Sequence, residues 1–231
     1  MSTTNMEDLK TEMVVFLRNA DILSITQRGV TTTSNVFTAT AAHTVFTLSN
    51  AVTRNIRYAT IDGVSKEAYT DYAPDYKSIS STLTFTTGLT AGELLDVGFD
   101  YSAGTKEKIF PDYPVIEYLP DSIPRVGFEI IGFRTKPISI GDTNWLSDAL
   151  ISVKVYDKNL KNIDNFITTI REKVKSAQLS FYHFQLVTPT NIGPALLHDF
   201  STKGRFAGKA ALAGKVFEKA LDLLARFNYE S

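Results

Sequence analysis

Apolar side chains at Met6, Leu9, Met13, Phe16 and Leu17 recur close to every 3.6 residues, with Asn5 placed to cap them, so a helix is predicted over residues 6–17. The pattern then changes. From Leu23 to Tyr101 the chain runs in short stretches of Thr, Val, Ile, Phe and Tyr between Gly, Asn, Asp and Pro, the composition and punctuation of strands. Six strands are predicted, at residues 34–40, 44–49, 56–61, 66–72, 82–87 and 94–101, and a spacing of about ten residues per strand suits a small sandwich. Asp62-Gly63 falls between two of them and predicts a type I′ hairpin, whose two central residues need positive φ. Gly88 and Gly92 bound a second predicted turn.

Residues 103–124 hold Gly104 and Pro111, Pro114, Pro120 and Pro124; each proline removes a backbone donor and fixes φ, so this stretch reads as a linker without regular structure. Strands are predicted at 126–133 and 146–156, joined by a loop over 135–145. The second carries Ala149, Ile151, Val153 and Val155 on one face. An amphipathic helix follows over 159–177, with Leu160, Ile163, Phe166, Ile167, Ile170, Val174 and Ala177 on one stripe. A further strand is predicted at 180–188, ended by Pro189 and Pro194. Residues 215–229 fit a helix by their Ala and Leu content and a strand by the placing of Phe217, Leu221, Leu223, Phe227 and Tyr229. The expected fold class is α+β: a small α/β domain over 1–30 and 105–231, with a mixed or antiparallel sheet flanked by helices, interrupted by an all-β sandwich-like module over 31–104.

Composition narrows the chemistry. The 231 residues include no cysteine, which excludes disulfides, thiolate metal sites and cysteine nucleophiles and fits a reducing cytoplasm. The first residues carry charged and polar side chains where a signal peptide has an apolar run, no stretch approaches a membrane span, and no Asn-X-Ser/Thr sequon occurs. A net charge of -1 gives no overall field toward nucleic acid or an anionic membrane.

Candidate chemistry is sparse. His43, His183 and His198 lack the spacing of a zinc site, and no G-x-S-x-G is present. Gly208-Lys209 to Gly214-Lys215 looks superficially like a phosphate loop, but five residues separate the glycines and Val216 stands where Ser or Thr must reach magnesium. Asp71, Asp75, Asp96 and Asp100 leave a glycosidase-like carboxylate pair as a distant reading. Tyr58, Tyr69, Tyr72, Tyr76 and Tyr101 suit half-buried sheet faces and equally a carbohydrate platform. Trp145, the single tryptophan, ends the predicted loop in GDTNWLSD and reads as either an interface anchor or core. No catalytic, cofactor-binding or metal-binding residue is expected.

The stretches VFTLSN, IDGVSKEAYTDY, STLTFTTGLTAGE and VGFDYSAG together resemble the small β modules of tailed-bacteriophage structural proteins. The rest of the chain, an amino-terminal helix, the strand pair and a long amphipathic helix, is similar to the tail terminator proteins of long-tailed phages. That resemblance implies a non-enzymatic virion protein, made in the host cytoplasm, whose copies form a hexameric ring capping the tail tube protein and receiving the head–tail connector proteins. DNA would pass through such a ring without sequence-specific binding. It also implies a strand at 216–229. Lys136, Asp142 and Trp145 in the predicted loop are the expected ring-to-ring contacts. Other neck or head-completion proteins, and a carbohydrate- or host-surface-binding module, are the alternatives.

Overall fold

A computed structural model describes residues 6–50, 53–76, 81–102, 107–111, 113, 123–137, 144–199 and 215–230. The chain divides into two compact units: Ser24–Glu107, and the flanking Met1–Leu23 with Lys108–Ser231.

The inserted unit opens on a one-turn helix, α2 (Ile25–Arg28), fixed by a reciprocal cap. Ser24 Oγ accepts the Gln27 N–H, and Gln27 Oε1 accepts the Ser24 N–H at 2.9 Å. Gly29, at φ 70, ends it in the left-handed conformation that a β-carbon disfavours. Seven strands follow: β1 (Thr31–Thr38), β2 (His43–Thr47), β3 (Thr53–Ile61), β4 (Val64–Ser65), β5 (Tyr72–Tyr76), β6 (Ser81–Leu89) and β7 (Leu94–Tyr101). They make two antiparallel sheets, ordered β1-β7-β3-β4 and β2-β6-β5. Phe46, Leu83 and Phe85 of one sheet and Ile56, Leu95, Val97 and Phe99 of the other share one buried core, so the unit is a β-sandwich.

Asp62 and Gly63 both have positive φ, 50 and 80, as the predicted turn requires. The strand predicted at 66–72 is not there. Asp71 Oδ2 accepts the Glu67 N–H at 2.8 Å, the Asp71 N–H bonds back to Glu67 O, and Tyr69 turns the chain at φ 66. An aspartate that captures a nearby backbone N–H competes with strand pairing and wins here.

A buried ionic clasp closes the unit. Arg28, Asp100 and Glu107 are all fully buried. Arg28 donates through Nη1 to Asp100 Oδ2 at 2.8 Å, and through Nε and Nη2 to the two oxygens of Glu107 at 3.1 and 2.8 Å. Asp100 also accepts from Arg57 Nε at 2.9 Å and Thr32 Oγ1 at 2.7 Å. All three members lie within the compact unit Ser24–Glu107, whose ends fall beyond the 31–104 module expected from the sequence.

The flanking unit comprises α1 (Met6–Asn19), β8 (Ile109–Phe110), β9 (Arg125–Pro137), β10 (Asn144–Asp157), α3 (Leu160–Ala177), β11 (Leu186–Ile192), β12 (Leu196–Asp199) and β13 (Lys215–Glu230). Its sheet runs β11-β13-β10-β9-β8, with β12 also beside β13, and every pairing is antiparallel except β8 with β9. The core-facing row of the sheet includes Phe128, Ile151, Val153, Leu221, Leu223 and Phe227. It shares a core with Leu9, Met13 and Leu17 of α1 and with Ile163, Ile167, Ile170 and Val174 of α3. Asn159 caps α3, accepting the Lys161 N–H at 2.9 Å. Arg18, near the end of α1, donates from Nη2 to the Ile109 carbonyl at 2.9 Å and so ties α1 to β8.

The carboxy-terminal segment is a strand. Fourteen consecutive positions of β13 pair with β10, from Asn144↔Glu230 to Asp157↔Phe217, and that ladder overrides the helix propensity of its Ala and Leu residues. The strand predicted at 180–188 forms later, as Leu186–Ile192, and contains Pro189 instead of ending before it. Pro189 sits beside a register shift on an edge strand, where a missing N–H leaves no partner unsatisfied. The stretch before it is held by Glu12 of α1, whose carboxylate accepts the N–H groups of Tyr182 and His183. Within the predicted irregular linker, Ile109–Phe110 form the short parallel strand β8.

Candidate interface at the end of the β9–β10 hairpin

The loop predicted over 135–145 is shorter than expected. Pairing continues through Lys136↔Leu146 to Trp145↔Pro137, and residues 138–143, Asp142 among them, lie outside the described residues. One bulge decides what this hairpin presents. The register shifts between Leu150↔Gly132 and Ile151↔Ile130, leaving Ile131 as the extra residue. Beyond it Phe133, Thr135 and Pro137 share a row with Ala149, Ser147 and Trp145, while Arg134 and Lys136 share the opposite row with Asp148 and Leu146.

The two rows differ in chemistry. On the first, Phe133 is 45 % exposed and meets the buried Phe227 edge to face with centroids 6.1 Å apart, and Trp145 is half-buried. Ile131, at the bulge, is 52 % exposed. On the second, the ladder aligns Arg134, Asp148 and Arg226 across three strands, with Lys136 in the next row. Arg226 donates to Asp148 at 2.8 Å from Nε and 3.4 Å from Nη2. That hydrogen bond holds the Asp148 carboxyl below its ordinary pKa, helped by the nearby Lys136 and Arg134 charges. Three cations face one carboxylate, so this side is basic, and exposed apolar side chains occupy the other.

Of the three residues expected at the interface, Lys136 and Trp145 are brought to this end of the hairpin, on opposite faces of the sheet. Phe133 and Ile131 were not singled out by the sequence, because β9 reads as an ordinary apolar alternation and the bulge leaves no signal there.

The other candidates are tied up locally. The His43 ring packs on Phe46 at 4.2 Å. His183 is half-buried, and desolvation lowers its pKa. His198 Nε2 lies 2.9 Å from Glu218 Oε2, and Lys154 pairs with the other oxygen of Glu218 at 2.9 Å. Asp71 belongs to the turn with Glu67, Asp100 to the clasp, and Asp96 accepts from the Tyr58 hydroxyl at 3.3 Å. Tyr72 is buried, its pKa raised to about 12 by desolvation and by the Asp71 charge. Among the described residues no group of three or more acidic or histidine side chains could hold a metal ion, and no helix is long and apolar enough to cross a membrane. The glycines at 208 and 214 lie outside the described residues. Compared with protein families, with curated proteins and with solved structures, the chain finds no match.

Proposed function

We propose that this protein is a virion structural component of a tailed bacteriophage, a tail terminator whose copies close into a ring that caps the tail tube and docks the head–tail connector. The observation that carries the reading is the two-sided hairpin end: exposed Phe133 and half-buried Trp145 on one row, Lys136, Arg134 and Arg226 on the other. A ring of identical subunits needs two unlike patches per copy that meet their counterparts after a fixed rotation, and an aromatic anchor on one face with a charged patch on the other gives each copy two such surfaces. In this reading the six-stranded sheet with α1 and α3 is the ring-forming domain, and the sandwich is a decoration inserted after α1. The chain order of helix, strand pair, helix and returning strands agrees with the terminator-like arrangement.

The test is the solution mass of the purified protein by light scattering, with negative-stain images. A ring of about six subunits is expected, lost on Trp145→Ala while circular dichroism and the melting temperature stay close to wild type. A monomer that also fails to assemble on tail tubes, or a ring untouched by Trp145→Ala, counts against the assignment.

A second reading, host-surface carbohydrate binding by the sandwich, is favoured by one observation. The Tyr58 ring packs against Gly98, where a β-carbon would come within 2.1 Å of it, yet remains 43 % exposed beside the Asp96 carboxylate. An open aromatic face next to a carboxylate suits a sugar ring. A glycan array probed with wild type and Tyr58→Ala decides it: signal in the first and not the second supports a sugar site, and silence in both removes it.

A further inference from the structure

We infer that the outer edge of β1 docks the same edge of a second copy of this chain, continuing the β1-β7-β3-β4 sheet of one sandwich into that of the other. The inference stands apart from the ring contact proposed above.

It begins in the sequence. Residues 29–53 contain no Asp, Glu, Lys or Arg, and they supply both β1 and β2. An edge strand presents a row of unpaired backbone N–H and C=O groups, and folded proteins ordinarily guard it with charge, proline, a bulge or brevity. The other open edges of the sandwich are guarded. β4 has two residues, β5 carries Pro74, and β2 shifts register between His43 and Val45. β1 has none of these four protections; its one local side-chain contact of this kind among the described residues is made by Asn35, whose Nδ2 donates to Ser34 O at 3.2 Å and to Ser49 Oγ at 2.9 Å. Its eight residues pair with β7 in unbroken register from Thr31↔Tyr101 to Thr38↔Leu94, and among the described residues no strand lies on its other side.

The side chains point to what covers it. Thr33, Asn35 and Phe37 face the sandwich, while Thr32, Ser34, Val36 and Thr38 form an exposed row in which Val36 is 66 % exposed. An edge without charge has no sign by which to select an unlike partner and nothing to repel its own copy. An antiparallel two-fold pairing with Asn35 on the axis keeps the exposed row on one face. It sets Thr32 against Thr38 of the second copy and Ser34 against Val36 of the second copy. These small polar and β-branched side chains pair well across antiparallel strands, and each copy's free backbone groups gain partners from the other. Such a contact is isologous and closes on itself.

The test is hydrogen exchange on the full-length protein across a concentration series, with light scattering on the same samples. Alternate amides within β1 are expected to gain protection as concentration rises, in step with the average mass. Val36→Lys, on the exposed row, is expected to abolish the β1 protection and the part of the mass increase that runs in step with it, while the protection of β7 and the melting temperature stay unaltered. Ser34→Lys is a second variant with the same expectation. If the β1 amides exchange at open-edge rates at every concentration, or if both lysine variants associate as wild type does, the inference is overturned. A ring that survives both variants with β1 open sinks this contact and leaves the terminator reading standing; a wild-type protein that forms no ring and fails to assemble on tail tubes, with β1 still protected, does the reverse.

Discussion

Arg28 is held by two carboxylates that reach it across 72 and 79 residues of sequence. Replacing it with Met keeps the volume but takes the forked cation from buried Glu107 and leaves Asp100 with Arg57 alone, and loss of one partner from a buried ion cluster costs about 3–5 kcal/mol. Urea unfolding of Arg28→Met is expected to show that loss. Arg28→Lys is not expected to restore it, because an ammonium cannot reproduce the forked contact with Glu107. Two buried acids also give pH dependences of opposite sign. Burial opposes ionisation of Asp100, but hydrogen bonds from Arg57 and Thr32 and the Arg28 charge outweigh it and hold the pKa below its ordinary value of 3.8. Its contribution is therefore present above that value and lost as pH falls through the lower folded-state pKa. For Glu12, desolvation raises the pKa above 4.5 despite the N–H groups of Tyr182 and His183. Its contribution is full below 4.5 and lost as pH rises through the folded-state value. Unfolding free energy measured across this range is expected to slope down with pH near Glu12's titration in wild type and to lose that component in Glu12→Gln.

At the scale of elements, the β3–β7 pair depends on one glycine. Tyr58 occupies the space that a side chain at Gly98 would fill, so Gly98→Ala must lift the ring, at about 1–3 kcal/mol by analogy with other overpacked sites. The same substitution in a Tyr58→Ala background is expected to cost less, and a double-mutant cycle measures the difference. Elements whose rules are local were legible in the sequence. The Asp62-Gly63 turn, the α3 stripe and the strands of β7 and β10 follow from turn chemistry and periodicity alone. Those decided by distant partners were not. The segment around Asp71 has strand-like residues but is captured by its own aspartate, Pro189 is tolerated only because β11 is an edge, and β13 becomes a strand through its ladder with β10. The candidate interface was legible in part for the same reason: Lys136 and Trp145 stand out as residue types, whereas the exposure of Phe133 depends on a bulge that only pairing reveals.

For the whole molecule, the clasp predicts that Ser24–Glu107, produced alone, folds. It contains its own core, its own caps and all three members of the Arg28–Asp100–Glu107 cluster. A cooperative thermal transition and dispersed amide resonances are the expected outcome for the excised unit. A fragment starting at Thr31 lacks Arg28 and is expected to be markedly less stable. Should the two fragments behave alike, the clasp is not what closes the unit.

Arg28 near the start of the inserted unit is joined to Asp100 and Glu107 near its end, so the unit fastens its own two ends together. To the rest of the chain the insertion is a cartridge closed by its own side chains. Lineages could discard it, enlarge it or swap it for another closed module with no change in strand order elsewhere. Selection can then act on the two parts at different speeds, holding the sheet to whatever geometry its partners demand while the cartridge diversifies.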